Sequence, residues 1–367
     1  MPINIATKYQ SVVDERFALE SVTAALTNKD FDWDGAGSIV LYSYGTTPLT
    51  DYSMSGTSRY GTPANLGNAT QTMVLSMDRS FSTVIDRKDY NDTMMTAEVG
   101  QHVARELREV VIPEEDNYII AKMVLNAGNT SATAVTSSNA YSVLVAARKT
   151  CVNKKVPIGE LICVASSTYY SKLLLDTTNF IKAGDLAQSV LITGQVGKCA
   201  GLPVVEVPDS YLCGAEFLLV AKVATTAPVK IRDLKIHDNP PGINGWLVEG
   251  RFNYDAFVKN NKKDAIFAQL AGFTTVSTAG EATKTILSTA DIDLAIAKKA
   301  GFTIKYYAAA ASGYTAKVVG DDCSSLTTYT LGSEIVVTAT YKIQLILVDA
   351  DGKAVVPGTA VVVALGS

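Results

Sequence analysis

The hydrophobic and polar positions between residues 91 and 127 repeat with the period of an α-helix. Apolar side chains recur every three or four residues and so share one face: Val99, Val103, Leu107, Val110 and Val111. On the polar face, Arg105 and Glu109 stand one turn apart, where they can form an ion pair. We expect Asp92 to cap the start of this helix and Gly128 to end it. At about 1.5 Å per residue the helix would span roughly 50 Å, a spine for other elements to pack along.

Pro113 interrupts this helix, and three acidic residues follow it. The proline lacks a backbone donor and its ring crowds the preceding turn, so the sequence predicts a kink or a short break. Glu114, Glu115 and Asp116 suit the first turn of a new helix, because carboxylates are favoured near the positive end of the helix dipole.

Two stretches with strand character precede the spine. Residues 38–44 (SIVLYSY) are rich in β-branched and aromatic side chains, and residues 71–86 alternate and then continue as a second strand. The polar residues 45–67 between them show no core signal, and loops of this length are usually functional or disordered. The pattern predicts an extended β loop, residues 38–90, that cannot bury its own faces and should lie against another molecule.

The remaining chain alternates between helix and strand patterns. Apolar positions between residues 12 and 26 predict a short helix in an otherwise extended N-terminal arm. A mixed α/β region follows the spine, with helices predicted at 139–152 and 168–175, strands at 161–165 and 215–221, and a turn-strand-turn-strand pattern over 194–207. Residues 246–257 and 264–269 read as a hairpin-like pair around the loop VKNNKK, whose lysines we expect to be exposed: Lys259, Lys262 and Lys263.

From about residue 274 the composition shifts to Thr, Ala and Val. Residues 288–301 predict a capped short helix, and Asp351-Gly352 is a strong hairpin signal. The runs 333–349 and 354–365 are almost continuously apolar, which is typical of strands covered on both sides. We expect a separate β-rich C-terminal domain.

Composition narrows the class of protein. A chain of 367 residues that is 47% hydrophobic can bury a sizeable core in two or three domains. The net charge of -4 gives no long-range attraction to nucleic acid or anionic lipid. No apolar run reaches membrane-spanning length and no export signal is visible, so we expect a cytosolic protein without a membrane partner.

Candidate chemistry is sparse. The five cysteines are odd in number with no Cys-x-x-Cys pair, which favours reduced, mostly buried thiols. With two histidines, a zinc site or a catalytic triad has little support, and Gly194-Gln195-Val196-Gly197 lacks the ending of a phosphate loop. We predict no catalytic residue, cofactor or metal. The basic runs 148–155 and 259–263 could instead pair with Glu114 to Asp116 of a neighbour across a self-complementary surface.

The order of these segments resembles the major capsid proteins of tailed bacteriophages, the Hong Kong phage type of capsid fold. The most specific parts are RELREVVIPEEDNYIIAKM at 105–123 and GRFNYDAFVKNNKKDAIFA at 250–268, with VGKCAGLPVVEVPDSYL at 196–212. The resemblance covers residues 1–272 and leaves the C-terminal segment outside.

The resemblance implies an α+β fold with an N-terminal arm, an extended loop, a spine helix, peripheral and axial domains, and an appended β-rich C-terminal domain. The implied parts are the arm at 1–37, the β loop at 38–90, the spine and peripheral domain at 91–138, the axial domain at 139–230, the peripheral return at 231–273 and the C-terminal domain at 274–367. The implied function is a virion shell protein, assembled in the host cytoplasm. It would form pentamers and hexamers of an icosahedral or prolate shell and contact packaged double-stranded DNA without sequence specificity.

The implied partners are other copies of the chain, a portal and a decoration protein. We also expect a separate scaffolding protein, because no long helical scaffolding segment fits before Ser38, and we find no motif for a Lys-to-Asn cross-link. Alternatives are an encapsulin-like nanocompartment with an enzyme cargo and a cysteine-dependent hydrolase. The candidate interface residues are Tyr52, Arg59, Tyr60, Arg79, Arg105, Glu109, Glu114, Glu115, Lys259, Lys262 and Lys263.

Overall fold

The structure is a computed structural model that describes residues 21–28, 38–63, 65–92, 99–176, 196–279, 284–330, 332–336 and 339–363. Its helices are α1 (Thr23–Leu26), α2 (Arg87–Asp92), α3 (Val99–Glu106), α4 (Ile112–Leu125), α5 (Ala140–Asn153), α6 (Ser167–Leu175) and α7 (Leu294–Ala300). A π-helical turn, Leu107–Val111, joins α3 to α4, and short 3-10 turns lie at Ile158–Glu160, Asp209–Leu212 and Asn260–Ala265.

The strands form several separate sheets. In chain order they are β1 (Ser38–Tyr44), β2 (Asn68–Val74), β3 (Met77–Asp86), β4 (Asn129–Ser131), β5 (Leu161–Ser166), β6 (Val196–Cys199), β7 (Leu202–Val207), β8 (Ala215–Ala221), β9 (Thr225–Thr226), β10 (Val229–Asp238), β11 (Gly245–Tyr254), β12 (Phe257–Val258), β13 (Ile266–Leu270), β14 (Thr275–Ala279), β15 (Lys284–Thr289), β16 (Thr303–Ala310), β17 (Thr327–Thr328), β18 (Ile335–Val336), β19 (Tyr341–Val348) and β20 (Ala354–Val363). The sheet orders are β1-β2, β10-β11-β3, β12-β9, β4-β13-β8-β5-β7-β6, β14-β15-β18 and β17-β16-β19-β20.

The six-stranded sheet carries the largest part of the core. Strand β8 (AEFLLVA) is buried at every position because it lies inside the sheet with both faces covered. Phe217 on this strand contacts the tilted ring of Tyr169 of α6 and stacks with Phe267 of β13, at ring-centroid distances of 4.6 and 6.3 Å. Two strands of this sheet, β4 and β13, lie outside residues 139–230. The sheet therefore combines the predicted axial domain with segments that were predicted to be peripheral.

The predicted hairpin around VKNNKK is wrong. Strand β11 pairs with β10 and β3, whereas β13 pairs with β8 and β4 in the six-stranded sheet. The chain therefore passes from one sheet to another through β12 and the 3-10 turn Asn260–Ala265. Local strand patterns on both sides of a polar loop cannot reveal that the two strands have different partners.

The spine, residues 99–125, is one rod of α3, the π-helical turn and α4. Pro113 lies in the first turn of α4, and Ile112 N–H donates to Leu107 O, five residues back. This wider turn accommodates the proline without interrupting the helix, so of the two predicted outcomes, a kink or a short break, the break is wrong. The predicted start at residues 93–98 lies outside the described residues, Asp92 ends α2 instead, and the spine stops at Leu125, before Gly128.

Burial divides the spine into two halves. From Tyr118 to Ala121 every side chain is at most 2% exposed, because α4 lies in the core. In the first half Leu107 and Val111 are partly buried, Val103 is half-buried and Val110 is 47% exposed. The predicted buried face of the first half is therefore wrong for Val110 within one chain.

The C-terminal segment packs against the body through a shared core. The predicted short helix is α7, which Asp293 caps through hydrogen bonds from Ala295 N–H and Ile296 N–H at 2.8 and 3.2 Å. The predicted hairpin at Asp351-Gly352 joins β19 and β20, and β19 is buried over its last six positions. Apolar residues of α4, β8, α7 and β19 belong to one continuous cluster.

Candidate assembly surfaces

The β1–β2 ribbon and its connecting loop project from the body, and we call residues 38–74 the tongue. The antiparallel register runs from Ser38 opposite Val74 to Tyr44 opposite Asn68. Alternate side chains of the ribbon face the body, and among them Met73 is completely buried. The other face exposes Val40, Tyr42 and Val74 at 42%, 62% and 56%. This period-two pattern is what a strand gives when only one face has a partner.

The loop at the end of the tongue is more exposed than the ribbon. Tyr52 and Tyr60 form an edge-to-face pair with ring centroids 5.1 Å apart, and the Arg59 guanidinium donates to Gly56 O at 3.2 Å. Large apolar side chains point outward: Leu49, Met54, Tyr60 and Leu66 are 101%, 88%, 85% and 69% exposed. In the tongue sequence only Asp51 and Arg59 carry charge. A projection that exposes large apolar side chains and has no net charge indicates a surface that another molecule covers.

The acidic residues after Pro113 hold several elements together. Glu114 accepts from Arg79 of β3 at 2.7 Å and from Lys299 of α7 at 3.2 Å, and Glu115 accepts from Arg232 of β10 at 2.8 Å. Burial alone would raise the pKa of Glu114, but the hydrogen bonds from Arg79 and Lys299 outweigh it and hold the pKa below its usual value of 4.5.

Asp116 ties the N-terminal helix α1 to the spine. Its buried carboxylate accepts from Ser21 Oγ at 2.9 Å, from Val22 N–H at 2.8 Å and from the Thr23 hydroxyl. Together with the two preceding glutamates it makes the start of α4 a junction for β3, β10, α1 and α7. The predicted pairing of this acidic run with a neighbouring chain stays a prediction, while the structure places its carboxylates in contacts within one chain.

Other predicted site residues are scattered. Arg105 Nε and Glu109 Oε1 lie 2.8 Å apart, as the one-turn spacing predicts. Lys262 and Lys263 are exposed. Lys259 is 7% exposed, so its predicted exposure is wrong: its N–H donates to Ala224 O and holds this part of the chain against the core.

Lys299 and Arg232 were missed as functional candidates. They lie 185 and 117 residues from the glutamates that they bond. No sequence spacing reports such contacts, because they depend on how the sheets and α7 pack around α4.

The cysteines lack the environment of a nucleophile. All five are buried and free. Burial raises the pKa of Cys151 and Cys199 to about 11 and that of Cys213 to about 12, and it also raises the pKa of Cys163 and Cys323. Because the thiolate is the reactive form, these shifts disfavour a cysteine-dependent hydrolase.

No concave site with catalytic chemistry stands out among the described residues. A groove of about 550 Å³ lies between α5 and β4, and no side chain that lines it is titratable. Within the same residues no cluster of His, Cys, Asp and Glu could hold a metal ion, and no helix has the length and apolar character to span a membrane.

Comparison with known proteins gives matches of fold. No protein-family model and no curated protein matches the sequence. Among solved structures, one titled Mycobacterium phage Che8 matches with a TM-score of 0.57 and 14% identity, over 73% of this chain and 98% of that chain. The capsid of cyanophage P-SCSP1u matches with a TM-score of 0.57 and 16% identity, over 73% and 93%.

The head of Helicobacter pylori bacteriophage KHP40 also matches, with a TM-score of 0.54 and 14% identity over 73% of this chain and 95% of that chain. The chain has the tailed-phage capsid fold. Mixed helices and strands match nearly the whole length of these capsid chains, and about a quarter of this chain lies outside the match. The additional sheets after residue 273 are consistent with a segment appended to the capsid fold.

Proposed function

We propose that this protein is the major capsid protein of a tailed phage. Copies of the chain would assemble as pentamers and hexamers into an icosahedral or prolate shell around double-stranded DNA. The shell belongs to the virion and forms in the host cytoplasm. The role is structural and needs no catalytic residue or cofactor.

The observation that carries this proposal is the tongue. Its outer face and its loop expose large apolar side chains that no other described residue covers, and a two-stranded ribbon is marginally stable by itself. A neighbouring copy supplies both the cover and the stability. The candidate interface residues Tyr52, Arg59 and Tyr60 lie in this loop.

The first half of the spine offers a second surface. Val103 is half-buried and Val110 is 47% exposed on a helix whose second half lies in the core. An apolar side chain that stays exposed on an amphipathic helix indicates a position that a partner can cover. A shell provides such contacts repeatedly, and its interfaces would bury more than the roughly 1,200 to 2,000 Å² of an ordinary complex.

The other partners follow from this role. A scaffolding protein separate from this chain would guide assembly, a portal would occupy one vertex, and a decoration protein could bind the outside. Contacts with packaged DNA would be non-specific and weak, because the chain carries a net charge of -4.

Removal of the tongue loop tests the proposal. Gly45 N–H donates to Gly67 O at 2.9 Å, so the ends of the loop already meet. Residues 46–66 can therefore be replaced by Asn-Gly, which suits a two-residue hairpin turn. We expect a wild-type circular dichroism spectrum and the loss of sedimenting particles.

A matched pair of substitutions distinguishes an effect specific to the tongue from the effect of removing an exposed apolar side chain elsewhere. Tyr60→Ser removes an 85% exposed apolar side chain from the loop, whereas Val318→Ser removes a 56% exposed one from the C-terminal segment. Particle yield should fall for the first and stay unchanged for the second. Normal shells without the loop, or wild-type protein that remains monomeric with scaffold supplied, would contradict the proposal.

A further inference from the structure

The tongue joins the body at a short elbow, residues 71–76, that lies against residues 255–260. The pairing of β3 with β11 places Met77 opposite Tyr254. The same register sets Ser76, one residue earlier, opposite Asp255, one residue later. The elbow is therefore held beside a segment that belongs to the core of the chain.

Asp255 fixes one end of the elbow. It is 2% exposed, and its Oδ2 accepts from the N–H and the hydroxyl of Ser76 at 2.9 and 2.7 Å. Its Oδ1 accepts from the Tyr118 hydroxyl at 2.8 Å and from Ala256 N–H at 2.7 Å. Tyr118 is a fully buried residue of the spine. Because a buried carboxylate is costly without donors, Asp255 keeps the elbow and the spine at a fixed separation.

Gln71 fixes the other end. Its Nε2 donates to Val258 O at 2.8 Å, and its Oε1 accepts from Asn260 N–H at 3.0 Å. The Gln71 side-chain amide thus bonds the main chain of residues 258–260 at two points. These two bonds define the distance and the rotation of β2 relative to that segment. Met73, between the two clamps, is completely buried.

We propose that Gln71 and Asp255 are positioning residues that set the direction in which the tongue leaves the body. This inference rests on the proposed function, since the direction of the tongue then sets the angle between neighbouring subunits. The exposed loop ends at Gly67, four residues along the chain from Gln71, so a rotation of the ribbon at the elbow moves the whole loop. A fixed elbow favours closed shells of one size, and a loose elbow gives particles of mixed diameter or open sheets.

Two variants loosen the elbow without touching the exposed face of the tongue. Gln71→Ala removes both main-chain bonds, and Ser76→Ala removes the hydroxyl bond to Asp255. Ser43→Ala is the matched control, because it removes a side-chain bond to Ala69 O at 3.3 Å within the ribbon, on the face turned toward the body, and leaves both clamps intact. Having two variants keeps the test valid if one of them fails to fold.

The direction of the tongue can be measured in the isolated subunit with spin labels. The native cysteines are buried, so labels will react with cysteines introduced at exposed positions, Ser55→Cys in the loop and Lys149→Cys in α5. We expect the label-to-label distance distribution to widen by about twofold or more in Gln71→Ala and Ser76→Ala, because each lost hydrogen bond lowers the cost of local opening. Ser43→Ala should match the wild-type distribution.

Electron microscopy of assembled particles then tests the consequence for the shell. Uniform wild-type and Ser43→Ala particles beside mixed diameters or open sheets for the elbow variants would support the inference. An unchanged label distribution, or uniform particles from the elbow variants, would overturn it. If the wild-type chain makes no particles, the proposed function fails, while the label distances still decide whether the two residues fix the tongue.

Discussion

A methyl group at Gly128 would lie 2.5 Å from the carbonyl carbon and oxygen of Lys263 and 2.8 Å from the nitrogen of Asp264. Neither main chain can move away cheaply, because Gly128 N–H also donates to Lys263 O at 3.0 Å. We expect Gly128→Ala to lower the free energy of unfolding by about 1–3 kcal/mol. The urea midpoint at unchanged slope measures this loss.

Gly100→Ala provides the control for that substitution. Gly100 is an exposed residue of α3, and a methyl group there would meet no atom within 4 Å. Alanine should stabilise the helix by up to about 1 kcal/mol, because glycine loses more conformational freedom on folding. Equal losses at both glycines would contradict the close approach at Gly128.

Glu114 should make the stability of the protein depend on pH. Its folded-state pKa lies below 4.5, so the stability that it contributes is present above that pH and is lost as the pH falls through the folded pKa. The side chains of Glu114, Arg79 and Lys299 are 23%, 47% and 33% exposed, and solvent screening limits the contribution to about 1 kcal/mol. Glu114→Gln should show this deficit at pH 7.

The deficit of Glu114→Gln should disappear in acid. Urea unfolding of the variant and the wild type between pH 7 and 3 measures the difference, with Glu160→Gln, a change at an exposed glutamate, as the control. A deficit that stays constant down to the lowest pH would show that the carboxylate's charge is not what binds Arg79 and Lys299.

Single residues also show what the sequence could reveal. Local signals were sufficient for Arg105 with Glu109 and for the hairpin turn at Asp351-Gly352, because helix period and turn chemistry act over a few residues. Gly128 was predicted as a helix end, but the structure shows it as the site of a close approach to a chain segment far along the sequence. The interface role of Tyr52, Tyr60 and the other candidates remains a prediction.

At the scale of elements, the two halves of the spine should respond differently to a buried charge. Ile120 in α4 is completely buried, whereas Val103 in α3 is half-buried. Ile120→Asp should prevent folding, since an unpaired charge in the core costs several kcal/mol. Val103→Asp should leave a folded subunit that assembles poorly.

Soluble expression, circular dichroism and particle yield distinguish these outcomes, and Arg108→Ala at an exposed position of the spine is the control. If Val103→Asp is as insoluble as Ile120→Asp, the first half of the spine is buried within the subunit. Hydrophobic periodicity predicted the helix because it reports which face is apolar. It could not report whether that face is covered by the same chain or by another, and Val110 shows the difference.

At the scale of the whole molecule, the sheets connect distant parts of the chain. The strands predicted at 161–165 and 215–221 follow from short apolar runs, and both were confirmed, as Leu161–Ser166 and Ala215–Ala221. The sequence did not reveal which strands pair with them. Strand β13 joins the same sheet, although β11, which precedes it closely in the sequence, belongs to another sheet. Side-chain pattern specifies that a strand is buried, while pairing across more than a hundred residues depends on the packed core as a whole.

The C-terminal segment tests whether folding depends on contacts between distant parts of the chain. Phe273 forms a parallel bridge with Gly358, and a methyl group at Gly214 would lie 2.6 Å from the Val356 side chain. On the other side, Lys299 of α7 bonds Glu114 and a methyl group at Gly301 would lie 3.0 Å from Leu125. We therefore expect residues 1–272 alone to be destabilised, because truncation uncovers apolar surface on α4 and β8.

Calorimetry of the full chain should then show one cooperative unfolding transition, since two regions that share a core cannot unfold independently. A fragment of residues 273–367 should lack a cooperative melt when expressed alone. Mixing the two fragments should restore part of the β signal if the contacts are specific, and Lys299→Ala in the C-terminal fragment should weaken this recovery. Two separate transitions in the full chain, with a soluble and cooperatively melting fragment, would instead establish the independent C-terminal domain that the sequence predicts.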